Sequence, residues 1–237
     1  MSVTSTKKGM GSIREDKYSF ILLCDFAGHR LKTPNLYAPL IDYKMELLDK
    51  QIKVINKKFK NNEILLCVGL ESNKLIRYID KKYPDQNIRI VENVNYLDTA
   101  SCESLRLALN NTYNRKLIII DSSMKINARM LNRIKTDSCY AFVSNSKDGN
   151  VEIGANITKN KKIEYFSFGG CQKWKDILVL CDEQAIRSLR DILLSGKYKR
   201  KFIFEALNDL ITLNHEIRAI EVKESVSKTQ QKVRKIK

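Results

Sequence analysis

Short apolar runs alternate with amphipathic stretches through the first half of this 237-residue chain. Residues 18–24, 63–68, 87–91 and 116–121 form the apolar runs and are typical of buried strands. Residues 45–59, 73–82 and 101–112 have apolar side chains at helical spacing, as at Met45, Leu48, Ile52, Ile55 and Phe59. Strands separated by helices of this length need right-handed crossovers. The sequence therefore predicts an α/β fold with a mostly parallel, Rossmann-like mixed sheet flanked by helices.

The pattern changes after residue 138. Residues 139–143, 151–157, 162–168 and 176–180 are strand-like and are joined by short turns, which predicts a meander or a mixed-sheet extension. Helices are expected at 182–194 and 202–213, with a last strand at 216–222. We expect a single domain over residues 18–222, after a flexible leader at 1–17 and before a basic tail at 223–237. A loop is expected at residues 25–43.

Several classes of protein are disfavoured by composition. No apolar run approaches the length of a membrane span, and the first residues lack the apolar segment of a signal peptide, so we expect a cytoplasmic protein without a membrane partner. The cysteines are widely spaced, form no CxxC pair and are accompanied by only two histidines, which argues against a zinc site.

The net charge is +16, with 43 Lys and Arg against 27 Asp and Glu. Such a surface attracts phosphate groups on nucleotides, nucleic acids or anionic lipids. A lysine-, asparagine- and isoleucine-rich composition typical of AT-rich genomes is the alternative explanation of this charge.

Ligands of parallel sheets bind beyond the carboxyl ends of the strands. In this sequence those ends lead into residues 25–30 and 121–125, which are therefore the first candidates for a binding site.

Several stretches resemble the nucleotidyltransferases that activate sugar phosphates and phosphocholine. Residues 22–31 (LLCDFAGHRL) resemble the opening glycine-rich loop I-L-A-A-G-x-G-x-R-L, and they keep Gly28, Arg30 and Leu31. Residues 38–41 and 46–52 resemble the segment and helix that follow it. Residues 93–99 with Ser104 and Leu105 resemble the N-x-x-Y-x-x-T…S-L run of the cholinephosphate and related sugar-phosphate branch, and residues 204–208 resemble its E-D-A-L-N helix.

This resemblance implies a reaction in which a nucleoside triphosphate and a phosphorylated sugar or alcohol give an NDP-linked product and pyrophosphate, with Mg²⁺ as cofactor. Its implied catalytic residues are Arg30 and Asp121, with Asp121 as metal ligand. Its implied nucleotide-binding residues are Asp25, Gly28, Arg30, Tyr96 and Thr99.

The same resemblance indicates an eroded active site. Phe26 replaces the first loop glycine, and Ala38 stands at the lysine of the P-K segment, although Lys32 lies nearby. Ser123 stands at the metal-binding aspartate, with Asp121 two residues earlier and, by strand alternation, on the same face. After the last strand only Glu221 and Glu224 remain as acidic residues, without the expected E-I-D pattern. We therefore expect weakened or lost catalysis.

Each candidate residue also has a structural interpretation. Arg30 and His29 are alternatively surface residues, and Asp25 caps a turn. Tyr96 is alternatively half-buried packing, and Thr99 an N-cap of the following helix. Trp174 either stacks on a base or packs on an edge strand.

The alternative function is that of a non-catalytic basic scaffold. It would bind nucleic acid, or a protein assembly such as a viral or phage particle, through its basic surface and the tail 223–237. Six basic residues and only Glu224 as an acid lie in that tail.

Overall fold

The computed structural model describes residues 18–24, 39–69, 72–135, 138–144 and 153–222. Side chains of the first helix are described from Met45 onward. The expected leader and tail, and the predicted site residues Asp25, Gly28 and Arg30, lie outside the described residues.

The described chain contains nine strands and six α-helices. The strands are β1 (Tyr18–Leu23), β2 (Asn62–Val68), β3 (Ile88–Glu92), β4 (Lys116–Asp121), β5 (Cys139–Ser144), β6 (Ile153–Ile157), β7 (Ile163–Phe168), β8 (Gln172–Leu180) and β9 (Ile217–Val222). The helices are α1 (Pro39–Lys58), α2 (Ser72–Lys82), α3 (Ser101–Asn110), α4 (Ala128–Leu131), α5 (Glu183–Leu194) and α6 (Ile203–Thr212), and a short 3-10 helix covers Gly196–Tyr198.

Seven strands form the main part of the sheet in the order β3-β2-β1-β4-β8-β5-β9. β1 pairs in parallel with β2 and β4, β2 with β3, and β5 with β9. β8 is antiparallel to both of its neighbours, β4 and β5. The predicted α/β fold with a mostly parallel mixed sheet is therefore confirmed.

The two faces of the sheet bury separate cores, because side chains alternate along each strand. Ile21, Leu65 and Leu117 lie in the core covered by α3, α5 and α6. Phe20 and Ile118 lie in the other core, which also contains the apolar face of α1. This alternation in fully buried strands is why their sequences read as continuous apolar runs.

The second half of the chain forms the predicted mixed-sheet extension. β6 and β7 make an antiparallel hairpin, and β6 also pairs with the beginning of β8, where Gly154 lies opposite Lys173. Asn208 of α6 fixes the hairpin, since its side chain accepts a hydrogen bond from the Phe166 N–H (2.7 Å) and donates to the Phe166 carbonyl (2.8 Å).

Two boundaries differ from the prediction by four residues or more. The loop expected to end at residue 43 ends earlier, because α1 begins at Pro39. Proline is favourable at a first helical position, where the missing N–H would have no intrahelical acceptor. β8 begins at Gln172 rather than at 176 and includes Trp174, which is 6% exposed and packs against Phe166. Trp174 thus has a packing role, on an interior strand rather than at an edge.

A buried carboxylate lies at the amino ends of the strands, opposite the expected site. Glu63 accepts hydrogen bonds from Ser19, Thr112, Asn114 and Arg89, with the Arg89 Nη2 at 2.7 Å. Burial acts to raise the pKa of Glu63, but the hydrogen bonds from Ser19, Thr112 and Arg89 outweigh it and lower the pKa below its ordinary value. This network fixes β1, β2 and the end of α3 to one another.

Candidate functional site

The carboxyl ends of β1, β2 and β4 lie side by side. Leu23 of β1 is in register with both Cys67 of β2 and Asp121 of β4. Two backbone hydrogen bonds continue this alignment past the strand ends, from the Cys24 N–H to the Cys67 carbonyl (2.7 Å) and from the Ser122 N–H to the Leu23 carbonyl (3.0 Å). The three strands therefore end at the same level of the sheet, and the residues that follow them lie side by side.

Asp121 is the acidic residue at this edge. It ends β4 and is half-buried, and its Oδ1 accepts a hydrogen bond from the Ser123 N–H at 2.7 Å. None of the described residues donates to its second carboxylate oxygen. Alternation places Asp121 on the face of Ile119, the face covered by α3.

The prediction that Ser123 shares the face of Asp121 by strand alternation is wrong. β4 ends at Asp121, and residues 122–124 form a turn in which the Met124 N–H bonds to the Asp121 carbonyl (3.0 Å). The period of two holds only in extended backbone, so it cannot be carried into this turn.

The segment 93–99 follows β3 at the same edge of the sheet. It is held in place by Asn93, which is 2% exposed. Its N–H bonds to the Val68 carbonyl at 2.8 Å, and its Nδ2 donates to Ser104 Oγ (2.9 Å) and Thr99 Oγ1 (3.0 Å). Its Oδ1 accepts from the Asn95 N–H at 3.1 Å. The backbone and side chain of one residue thus connect β2, this segment and α3.

Thr99 belongs to this network. Its hydroxyl donates to the Asn95 carbonyl at 2.8 Å while accepting from Asn93. The interpretation of Thr99 as N-cap of α3 is wrong, since Ala100 occupies that position and makes no side-chain capping bond.

Tyr96 lies directly against the end of β2. A Cβ placed on Gly69, the residue after β2, would lie 2.7 Å from Cβ and 2.9 Å from Cγ of Tyr96. Only a residue without a side chain allows this approach. The structure therefore has Tyr96 and Thr99 near the carboxyl end of β2 and Asp121 at the carboxyl end of β4, at the same edge of the sheet.

The amino end of α3 also points to this edge, but several of its backbone N–H groups are occupied. The Ala100 N–H bonds to the Lys199 carbonyl at 2.8 Å and the Cys102 N–H to the Lys201 carbonyl at 3.2 Å. The first turn further contains the Glu103 carboxyl, whose pKa is lowered mainly by its hydrogen bonds from Arg106. An anion at this helix end is therefore disfavoured, and phosphate binding must come from other groups.

The acidic residues expected near Asp121 are arranged differently. β9 is three strands away from β4 in the sheet, and strands lie about 4.8 Å apart, so Glu221 lies about 14 Å from Asp121. Glu224 lies outside the described residues. Within the described ranges, no group of three His, Cys, Asp or Glu residues could hold a metal ion.

Two residues at this edge were not predicted. Asp176 adjoins Ile177, which ends the pairing of β8 with β4 opposite Ile120, and its φ of 49° lies within the register shift of β8 against β5. Gln51 of α1 is fully buried and donates to the carbonyls of Ser122 and Met124. In the sequence, Gln51 could have been recognised as a polar residue on an otherwise apolar helix face. No sequence pattern marks the irregularity of β8 at Asp176.

No helix among the described residues is long and apolar enough to cross a bilayer. No protein-family model matches the sequence, and no curated protein matches it by sequence.

The chain has the nucleotide-diphospho-sugar transferase-like fold, which solved nucleotidyltransferases share. The inositol-1-phosphate CTP transferase from T. maritima superposes with a TM-score of 0.66 at 13% identity, over 94% of this chain and 95% of that one. The CTP:phosphocholine cytidylyltransferase from Streptococcus pneumoniae has a TM-score of 0.63 at 18% identity, over 94% and 99%. HddC from Yersinia pseudotuberculosis, in a complex with GMP-PN, has a TM-score of 0.62 at 13% identity, over 86% and 90%. At these identities the similarity establishes the fold.

Proposed function

We propose that this protein is nucleotidyltransferase-like: it binds a nucleoside triphosphate and a phosphorylated sugar or alcohol, and its transfer activity is weakened. The observation that carries the proposal is the position of Asp121. Its carboxylate lies at the carboxyl ends of the parallel strands, at the same edge as Tyr96 and Thr99, and none of the described residues donates to its second oxygen. Structures with this fold include CTP transferases for inositol 1-phosphate and for phosphocholine.

In the proposed reaction an oxygen of the acceptor phosphate attacks the α-phosphorus of the triphosphate. A new P–O bond forms, and the bond to pyrophosphate breaks. Mg²⁺ would neutralise the phosphate oxygens, and proteins commonly hold this ion through one or two carboxylates together with substrate phosphates. The free oxygen of Asp121 fits such a ligand. Arg30 would clamp a phosphate, and Gly28 would allow a close backbone approach.

Tyr96 and Thr99 would form the wall of the nucleotide pocket. Asn93 holds both in place through the segment 93–99, so their positions are set before any ligand binds. Asp25 follows β1 directly along the chain and would contact the base or the ribose.

The weakened transfer activity is inferred from the arrangement of the acidic residues. Ser123 offers no carboxylate, and its N–H occupies one oxygen of Asp121. Glu221 is about 14 Å away by strand spacing, too far to share an ion with Asp121. Of the acidic positions that the resemblance implies, only Asp121 is at this edge, so we expect the metal to be held less tightly.

The test is pyrophosphate release from CTP and UTP with Mg²⁺, across sugar 1-phosphates, inositol 1-phosphate and phosphocholine. We expect slow release that falls at least about tenfold in Arg30→Ala and in Asp121→Asn, because each removes a group acting on the phosphates. Asp85→Asn, at an exposed residue between α2 and β3, is the matched control and should behave as wild type. Unchanged activity in both site variants would refute the site. Absence both of release and of Mg²⁺-dependent nucleotide binding would refute the function.

The basic surface supports the second candidate, a non-catalytic scaffold for nucleic acid or a protein assembly. Four basic residues lie close together in sequence: Lys197, Lys199, Arg200 and Lys201. Acidic partners are found for Lys197 (Asp209) and Lys201 (Glu205). The tail 223–237 would extend this surface. Binding of RNA or DNA should weaken steeply with salt and on deletion of the tail. No mobility shift at low salt, with or without the tail, would exclude the nucleic-acid form of this function and leave the protein assembly.

A further inference from the structure

Gln51 occupies a core position that sequence patterns usually give to an apolar residue. It lies on α1 between Leu48 and Ile52, and its side chain is completely buried. Its Nε2 donates to the Ser122 carbonyl at 3.1 Å and to the Met124 carbonyl at 2.7 Å. Uncharged amides are seldom fully buried unless they bond to a specific partner, and here that partner is a turn more than 70 residues away in sequence.

That turn begins at Asp121. Its N–H groups are already bonded: Ser122 to the Leu23 carbonyl, Ser123 to the Asp121 carboxylate and Met124 to the Asp121 carbonyl. The Ser122 and Met124 carbonyls face α1, and Gln51 donates a hydrogen bond to each, the one to Ser122 buried and the one to Met124 part-buried. Gln51 is thus the link that fixes the turn to the helical layer beneath it.

The surrounding polar atoms indicate that this link is kept at a cost. Among the described residues, neither the Gln51 Oε1 nor the Ser122 Oγ has a hydrogen-bond partner, although both are buried. Unpaired buried polar atoms disfavour folding. Selection for stability alone would therefore favour an apolar residue at position 51 of α1 and a different turn after β4. Features that oppose stability in this way concentrate at functional sites.

We propose that Gln51 is a positioning residue for the Asp121 carboxylate. This rests on the proposed function, in which the free oxygen of Asp121 binds the metal. Because Asp121 Oδ1 is bonded to the Ser123 N–H, any rotation of the turn rotates the carboxylate with it. Gln51 opposes that rotation and so sets the metal affinity without contacting the metal.

The test compares Gln51→Met, which keeps the length of the side chain but has no donor, with Gln184→Met, a matched control at an exposed helical glutamine. The first readout is hydrogen exchange at Ser122, Ser123 and Met124. The second is a Mn²⁺ titration followed by paramagnetic broadening of the same amides, which needs no turnover. We expect Gln51→Met to speed exchange at these amides about tenfold, equivalent to about 1.4 kcal/mol, and to raise the half-saturating Mn²⁺ concentration about tenfold. Gln184→Met should change neither.

Gln51→Glu is the second variant, in case Gln51→Met does not fold. A buried carboxyl tends to stay protonated, so it keeps one donor and should give intermediate metal affinity that declines further as pH rises. Unchanged Mn²⁺ affinity in a folded Gln51→Met protein would overturn the proposal, even if exchange at the turn is faster. So would a wild-type protein in which Mn²⁺ broadens none of these amides. Mn²⁺ binding that depends on Gln51, in a protein that neither releases pyrophosphate nor binds nucleotide with Mg²⁺, would support the positioning role and refute the proposed function.

Discussion

Replacing Gly69 by alanine tests whether the end of β2 and Tyr96 are as closely packed as the structure shows. The added Cβ would lie 2.7 Å from Tyr96 Cβ, 2.9 Å from Cγ and 3.4 Å from Cδ1. Gly69 is not in the left-handed region, so alanine meets no backbone strain and the cost is purely steric. Overpacking of this kind costs about 1–3 kcal/mol, while the stiffer unfolded chain returns about 0.4–1 kcal/mol.

The expected net loss from Gly69→Ala is about 1–2 kcal/mol, or about 3–6 °C in Tm for a domain of this size. Guanidinium unfolding followed by circular dichroism measures it, and Trp174, the single tryptophan, reports the same transition from β8. Gly196→Ala is the matched control. A Cβ there meets nothing within 4 Å, and the variant should be more stable by about 0.5 kcal/mol.

The same substitution should also weaken nucleotide binding, because Tyr96 must move to admit the methyl group. In a Tyr96→Ala background the methyl group meets only Cβ, so Gly69→Ala should cost less there. Our reasoning is refuted if Gly69→Ala is as stable as wild type while Gly196→Ala shows its gain.

Two further predictions concern stability against pH and thiol reactivity. Glu63→Gln should cost about 2 kcal/mol at pH 7, because the hydrogen bonds of the Glu63 carboxylate are charge-assisted. The folded-state pKa of Glu63 is lowered, so this stabilisation is complete above the pKa of Glu63 in the unfolded chain and is lost as pH falls through the folded pKa. The difference in stability between Glu63→Gln and wild type should therefore shrink below about pH 4. The control, Glu164→Gln at an exposed residue, should be as stable as wild type. For the thiols, Ellman titration of the native protein should modify exposed Cys171 first and half-buried Cys181 more slowly, and all six cysteines only in denaturant. Burial, aided by the charge of Glu205, raises the pKa of Cys102 to about 12, and burial also raises that of Cys139, so reaction of these thiols as fast as Cys171 would contradict the described core.

The order of elements could be read from the sequence because it depends on local periodicity. Runs such as 63–68 and 116–121 are buried on both faces and cannot be mistaken for amphipathic helices, and helical spacing identifies α1, α2 and α3. Boundaries were less certain where residues have a special role, as at Pro39, where a helix begins at a residue that usually interrupts one. Parallel topology made residues 25–30 and 121–125 the first candidates for a site, whereas Tyr96 and Thr99 were predicted from the resemblance to nucleotidyltransferases.

The tertiary structure decided what depends on pairing between distant segments. The insertion of antiparallel β8 between β4 and β5 brings Asp176 to the end of the β4–β8 pairing and separates Glu221 from Asp121 by about 14 Å. No local pattern encodes that order. The turn after Asp121 broke the alternation on which the expectation for Ser123 rested, since its backbone bonds go to β1 and to Asp121 itself. Gln51 shows the same division: the sequence marks it as a polar residue on an apolar helix face, and only the packing of α1 against the turn shows which carbonyls it holds. Local periodicity specifies what each segment forms, whereas side chains from distant segments meet only once the sheet has assembled.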